Sequence, residues 1–375
     1  MRRIPELFGE LNRNGPVQRP TLRKPRVFVT RRIDASAIAR LKTIAQVDLW
    51  NGEMPPPYRE LLRRIHDADA VLSMVTDRLD ARAIASAPRL RVISNLAVGI
   101  DNIDPHAATR AGIVICHTPG VLTETTADLA FALLLATARR VAEGDRYVRA
   151  GRWRTWGPAI LLGRDVHGAT LGIIGYGAIG KAVARRAAGF NMRVLYASRK
   201  KRRRRHMPGW SGAGRRPHGV ALSRLLRESD FVTVHVPLDR STHRMLGARE
   251  FAMMKRGAIL INAARGAVVD QKALSRAIES GHLAGAGIDV TDPEPISRHD
   301  PLLRLPTVVV TPHIGSASQA NRARMADIAV RNILAALAGK LPEFCANPEV
   351  RLRDMPTRLP TRRHTIRGRA RPLPD

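Results

Sequence analysis

The residues with the plainest chemical potential sit in mid-chain. Gly175-Tyr176-Gly177-Ala178-Ile179-Gly180 reads GxGxxG, follows the apolar run LGIIG and opens the amphipathic stretch KAVARRAAGF. Gly-rich turns are common, and the strand–turn–helix context is what separates this one from the rest. Gly175 permits the tight turn, Gly177 lets the backbone approach a pyrophosphate, and Gly180 lets the helix pack closely on the strand. The helix N-terminus then stabilises the phosphate charge. Gly175, Gly177, Ala178, Ile179 and Gly180 therefore predict a dinucleotide site.

The end of the following strand speaks to the choice of dinucleotide. An acid about 20 residues on would hold a ribose 2′-hydroxyl. The chain reads Leu195-Tyr196-Ala197-Ser198-Arg199-Lys200-Lys201, with no acid. Arg199 and Lys200 can hold a 2′-phosphate, with Ser198 donating a hydrogen bond. NADP(H) is the expected preference, with NAD(H) possible. If the basic run 199–205 is only a solvated loop, the choice relaxes.

These groups need a frame. Short apolar runs alternate with amphipathic stretches from RVFVT (26–30) to IVICH (113–117), the pattern of a parallel α/β unit that closes at His117-Thr118-Pro119-Gly120. A long helix is predicted over about 123–150, beginning at Thr123. A second series of six strands follows, TLGIIGYG, MRVLYAS, FVTVHVP, GAILINAA, AGAGIDV and TVVVTP, with helices between them. A last amphipathic helix covers about 318–339. The predicted fold is α/β, with two doubly wound parallel-sheet domains about an interdomain cleft: a flavodoxin-like substrate domain (26–120 plus 312–345) and a Rossmann cofactor domain (121–311). Residues 1–25 and 346–375 read as disordered basic tails. Closure about hinges near Pro119 and Pro312 would exclude water from the cleft.

Five stretches, PGVLTETTADLAFALLLATARR (119–140), LAVGIDNID (96–104), NAARGAVVD (262–270), GHLAGAGIDVTDPEP (281–295) and TPHIGSAS (311–318), together resemble the D-isomer-specific 2-hydroxyacid dehydrogenase family, over roughly residues 26–350. Within it the chain looks most like the glyoxylate/hydroxypyruvate reductases. The resemblance implies NAD(P)H-dependent reduction of a small 2-oxo acid, glyoxylate to glycolate or hydroxypyruvate to D-glycerate. It also implies a catalytic set of Arg265, Glu294 and His313, an Asp289 on the nicotinamide side, a cofactor contact at Ala263, and a Val98-Gly99 backbone that binds the substrate carboxylate. A homodimer is implied too, with Trp153 and Trp156 in the interface region; core packing is the plainer reading of those two rings.

The chemistry asks for the same residue types. A cation such as Arg265 holds the carboxylate and polarises the ketone through its planar fork. A histidine protonates the developing alkoxide, and a carboxylate beside it stabilises the imidazolium. Backbone N–H groups at Val98 and Gly99 bind an anion without adding charge. Each residue also has a bland reading: one arginine among 55, a turn glutamate between prolines, one histidine of twelve. For Arg265 and His313, position after a predicted strand favours the chemical one. Thr291 and Asp292 depart from the family's usual residues, and 199–216 is more Arg-rich than its norm.

Composition narrows the alternatives. At 375 residues and 44% hydrophobic, the chain can bury two cores. The net charge of +31 is concentrated in 1–25, 199–219 and 347–375, so it forms no continuous basic face. A corepressor-type nucleotide-sensing protein would share this fold and the Arg/Glu/His set. The basic tails suit it, but they lack the interleaved aromatics of a nucleic-acid arm, and nucleic acid is not an expected partner. A dehydrogenase for another 2-hydroxy acid, such as 3-phosphoglycerate, is the nearer alternative. Two cysteines, Cys116 and Cys345, make no metal cluster. The longest apolar run, LAFALLLATA (129–138), is well short of the roughly 20 residues of a membrane helix. No metal and a cytoplasmic location are expected.

Overall fold

The computed structural model describes residues 23–199 and 216–350. Lys200, most of the Arg-rich segment and the outer parts of both tails lie outside the described residues. The first sheet is built from β1 (Arg26–Val29), β2 (Gln46–Leu49), β3 (Ala70–Ser73), β4 (Val92–Asn95) and β5 (Val114–Cys116). Its strands are all parallel, in the order β2-β1-β3-β4-β5. That is the flavodoxin-like order. β3, β4 and β5 are buried along their whole length, as a parallel sheet covered on both faces requires.

The second sheet contains β6 (Thr170–Ile174), β7 (Arg193–Ala197), β8 (His218–Gly219), β9 (Phe231–Val234), β10 (Ile259–Asn262), β11 (Gly285–Ile288) and β12 (Val308–Val310). Its order, β12-β11-β10-β9-β6-β7-β8, is doubly wound with the reversal between β6 and β9. A two-residue strand, β8, adds a seventh member to the six expected. Register positions the site: Ile174 pairs with Val234, Val234 with Asn262, and Asn262 with Ile288. The residues that follow, Gly175, His235, Ala263 and Asp289, therefore leave the sheet along one edge.

Carboxylates and hydroxyls start several helices. Asp34, Asp80, Asp104, Asp270 and Ser318 each accept from backbone N–H groups of the first turn. The helix expected over 123–150 is two helices, Thr123–Ala138 and Val141–Arg149. Arg140 adopts a left-handed φ of 52°, and the Ala138 carbonyl accepts from Arg164 N at 2.8 Å instead of continuing the helical ladder. Helix Thr123–Ala138 packs on β10 and β11, whereas the last helix, Gln319–Leu337, packs on β3 and β4 of the first sheet. The chain thus returns to the first sheet after building the second.

The described body reaches past the expected domain bounds at both ends. Arg23 already pairs with Asp69 at 2.8 Å. Residues 346–350 belong to the folded body because Asn347 is buried against the first sheet. Its side chain accepts from Ile115 N at 2.8 Å and donates to Thr109 Oγ1 and to the Ile113 carbonyl.

Candidate active site

Between the two sheets lies a cleft of about 1420 Å³, lined from both sides. The first sheet contributes the loop after β4. Asn95 Nδ2 donates to the Gly99 carbonyl at 2.9 Å and to Asn102 Oδ1 at 3.0 Å, and His117 Nδ1 meets the Val98 carbonyl at 2.8 Å. These bonds occupy the carbonyls. The N–H groups of Val98 and Gly99 have no hydrogen-bond acceptor among the described residues, which leaves two donors for an anion.

The second sheet contributes Arg265, directly after β10. Asn262 shapes its turn, donating to the Arg265 carbonyl at 3.0 Å and accepting from Ala264 N at 3.1 Å. The guanidinium then reaches across the cleft. Its Nε lies 3.2 Å from both Asp101 oxygens and its Nη2 is 3.1 Å from Oδ1. It also lies against Gly99, where a Cβ would fall 2.0 Å from Arg265 Nη2. A side chain at position 99 would displace the guanidinium from this place.

His313 and Glu294 meet although 19 residues separate them. His313 Nδ1 and Glu294 Oε1 are 2.5 Å apart, with the side chains 29% and 33% exposed. Asp289 fixes the loop that carries the histidine. Its buried carboxylate accepts from Thr311 Oγ1 at 2.6 Å and from the N–H groups of Ile314 and Gly315, each at 2.8 Å. His313 N donates to the Asp289 carbonyl at 2.9 Å, and His313 itself sits at φ 55°. Histidine is among the side chains that tolerate this left-handed conformation, and the bonds to Asp289 hold the loop in it. With Nδ1 engaged by Glu294, Nε2 is the ring nitrogen left for a substrate.

The glycine turn has the shape a pyrophosphate needs. Gly175 has φ +92°, and a Cβ there would fall 2.4 Å from the His235 carbonyl; at Gly180 it would fall 2.2 Å from the Gly175 carbonyl. A Cβ on Gly177 would meet nothing within 4 Å, so the approach to the turn is open. Helix Ala178–Ala188 begins at Gly177 with no side-chain cap, which leaves its first N–H groups for a ligand. These features fit a dinucleotide phosphate. Ile179 and Ala263 line the cleft beside it.

Arg199 is less free than its sequence position suggests. Its guanidinium donates to Asp239 Oδ2 at 2.8 Å and to Ser241 Oγ at 2.6 Å; Ser198 is exposed at the end of β7. The side chains that line the cleft therefore include Val98, Arg265, Asp289, Glu294 and His313, while the Ser198–Arg199 pair sits on the β7 side of the sheet.

Three contributors escaped the sequence reading. Asp101 lies in the quoted LAVGIDNID stretch, yet nothing local marks it as the partner of an arginine 164 residues away. Thr311 carries no signal beyond its place before Pro312. His235 forms part of the cleft lining, with Nε2 on Thr233 Oγ1 at 2.9 Å and a buried, unpartnered Nδ1. Burial pushes its pKa down to about 4, so the ring is neutral near pH 7. Among the described residues no group of three or more His, Cys, Asp or Glu could hold a metal ion.

Geometry and likeness to known proteins agree. Residues 131–315 match the D-isomer specific 2-hydroxyacid dehydrogenase, NAD binding domain. The chain belongs to the D-isomer-specific 2-hydroxyacid dehydrogenase family of oxidoreductases, and its dinucleotide is a nicotinamide cofactor. It is 50% identical over 328 residues to a glyoxylate reductase of Korarchaeum cryptofilum, covering 87% of this chain and 97% of that one. Among solved structures, the TT0316 protein of Thermus thermophilus aligns at 48% identity with a TM-score of 0.79, over 86% of this chain and 99% of the other. An NADPH-dependent glyoxylate/hydroxypyruvate reductase of Sinorhizobium meliloti, in complex with NADP and malonate, aligns at 30% identity with a TM-score of 0.77, over 88% of this chain and 100% of that chain.

Proposed function

We propose that this protein reduces glyoxylate to glycolate and hydroxypyruvate to D-glycerate, with NADPH preferred over NADH. The observation that carries the reading is the convergence of Arg265, the Glu294–His313 pair and the free Val98 and Gly99 N–H groups in one cleft. When bound, the nicotinamide supplies the hydride to the carbonyl carbon. The Val98 and Gly99 N–H groups and the Arg265 guanidinium hold the substrate carboxylate, and Arg265 polarises the ketone. His313 Nε2 gives its proton to the oxygen that gains charge. Glu294 keeps Nδ1 bonded, which orients the ring and stabilises the imidazolium before the transfer. The names of the relatives support the small substrates.

The cofactor preference rests on the absence of an acid at the end of β7 and the presence of Arg199 there. Its bond to Asp239 is an exposed ion pair, of a kind that costs little to surrender to a phosphate. Gly175 to Gly180 would hold the pyrophosphate, and Asp289 would act near the nicotinamide chiefly by fixing the His313 loop. We place the substrate-binding domain at 26–120 plus the returning chain to 350, and the cofactor domain at 121–311. A second copy of the chain is the partner proposed for helix Val141–Arg149, which buries none of its residues, and for the exposed Trp153 and Trp156.

The test follows oxidation of NADPH and of NADH with glyoxylate, hydroxypyruvate, pyruvate and a branched 2-oxo acid in parallel. Fast NADPH turnover on the first two is the expected result. Equal efficiency with NADH refutes the cofactor preference, and NADPH binding without turnover of any acid refutes the enzyme.

A further inference from the structure

The chain has two cysteines, and the fold brings them face to face. Cys116 ends β5, the edge strand of the first sheet, and the segment returning from helix Gln319–Leu337 runs antiparallel along that edge. Ala346 N donates to the Ile115 carbonyl at 2.7 Å and His117 N to the Phe344 carbonyl at 3.2 Å. Cys116 and Cys345 are the paired residues between these two bonds. They form a non-hydrogen-bonded antiparallel pair, the type in which facing Cα atoms approach to about 4.5 Å and side chains are closest. A disulfide needs Cα atoms roughly 4.4–6.8 Å apart. The side chains share a face, because Cys345 packs against the apolar cluster that contains Cys116.

We propose that Cys116 and Cys345 are a site of reversible oxidation, joined by a disulfide that ties the returning chain to the edge of the first sheet. Neither thiol is needed for the reaction in the cleft. Cys116 is buried and Cys345 half-buried, so Cys345 is the thiol that an external reagent reaches. Its thiolate attacks one sulfur of a small-molecule disulfide and expels one thiol. The Cys116 thiolate then attacks Cys345 Sγ and expels the second. The protein loses two electrons and two protons, and the external disulfide takes up both as two thiols. Asn347 gives up only a weak contact, since Cys345 Sγ lies 3.6 Å from its Oδ1, which Ile115 N continues to hold.

The environment sets the rate. Burial pushes both thiols above the ordinary cysteine range, so few are thiolates at neutral pH and exchange is slow there, accelerating as pH rises. The cross-link encloses the whole second sheet, because the chain leaves at Cys116, builds that sheet and returns at Cys345. Closing so long a loop restricts the unfolded chain more than the folded one.

Treating the full-length protein with oxidised glutathione at pH 8.5 tests this. Thiols titrated in denaturant should fall from two to none per chain. A peptide map without reductant should show Cys116 joined to Cys345, and Tm should rise by about 5 °C or more, reversibly with dithiothreitol. Cys345→Ser, at the half-buried position, should fold normally and show no rise. Any of three results overturns the proposal: a stable glutathione adduct on Cys345 with Cys116 still free, disulfide-linked dimers, or two thiols that persist through prolonged oxidation.

Discussion

Asp289→Asn changes a single oxygen into an NH2, yet the structure makes it a severe substitution. The carboxylate accepts three bonds, from Thr311 Oγ1, Ile314 N and Gly315 N, at 2.6–2.8 Å, and is 2% exposed. An amide can keep Thr311 and Ile314 on its one oxygen. Its NH2 then faces the Gly315 N–H, donor against donor. Two charge-assisted bonds become neutral ones, and one backbone donor goes unsatisfied in a buried place. Bonds to charged groups contribute about 1 kcal/mol more than neutral ones, and an unsatisfied donor costs about 1–3 kcal/mol, so the loss sums to about 3–5 kcal/mol. Part of that is recovered as the loop relaxes, and relaxation moves His313. A shift of about 1 Å in a proton donor lowers turnover roughly 100-fold. The expected outcome is therefore a joint one: kcat with glyoxylate falls by about 10- to 100-fold, and Tm falls by about 3–6 °C. Steady-state kinetics and calorimetry on the same preparation read both. If Asp289→Asn keeps kcat and Tm and raises only the KM for NADPH, the carboxylate is a cofactor contact and not the anchor of the histidine loop.

His313→Ala should lower kcat by about 100-fold or more while leaving NADPH affinity, measured by fluorescence quenching, within about twofold; near-normal turnover would mean that another group is the acid. Asp101→Asn releases one edge of the Arg265 guanidinium. Because the pair is 23% and 33% exposed, the expected effect is about 0.5–1.5 kcal/mol, a 2- to 12-fold rise in KM for the 2-oxo acid with kcat within about threefold. A lower KM would instead make Asp101 a competitor for the substrate's place. His235 titrates near 4 in the folded protein and near 6.5 unfolded, so the unfolded chain binds the extra proton between those values. Its contribution to stability is complete above about pH 6.5 and is lost as pH falls through 4, by up to about 3 kcal/mol. Urea unfolding at pH 7.5 and 4.5 should show a smaller loss in His235→Gln than in the parent, and an identical loss would assign the pH dependence elsewhere.

The legible part of this protein was local. GYGAIG between an apolar strand and a helix announces its turn because Gly175 supplies the positive φ and Gly180 packs on the Gly175 carbonyl five residues back, constraints written in neighbouring residues. The parallel sheets follow from apolar runs of four to six alternating with amphipathic helices, a periodicity any linear reading detects. Position after strands marks Arg265 and His313, the family resemblance marks Glu294 with them, and all three line the cleft. What no linear reading contained were the meetings between distant segments. Asp101 faces Arg265 only because the two sheets oppose their loop-bearing edges. Asp289 anchors the His313 loop because β11 and β12 are neighbours, which brings Thr311, Ile314 and Gly315 to one carboxylate. Arg199 pairs its charge with Asp239, 40 residues on, because strand ends in register share an edge. Cys116 faces Cys345 because the last helix packs back on the first sheet, a choice made by the apolar side chains it buries there. Helix continuity through Arg139-Arg140 was likewise decided from afar, by Arg164 competing for the Ala138 carbonyl. Short-range sterics and periodicity are written in neighbouring residues. Pairings across more than a turn or strand depend on which surfaces the folded chain buries, and that belongs to the tertiary structure.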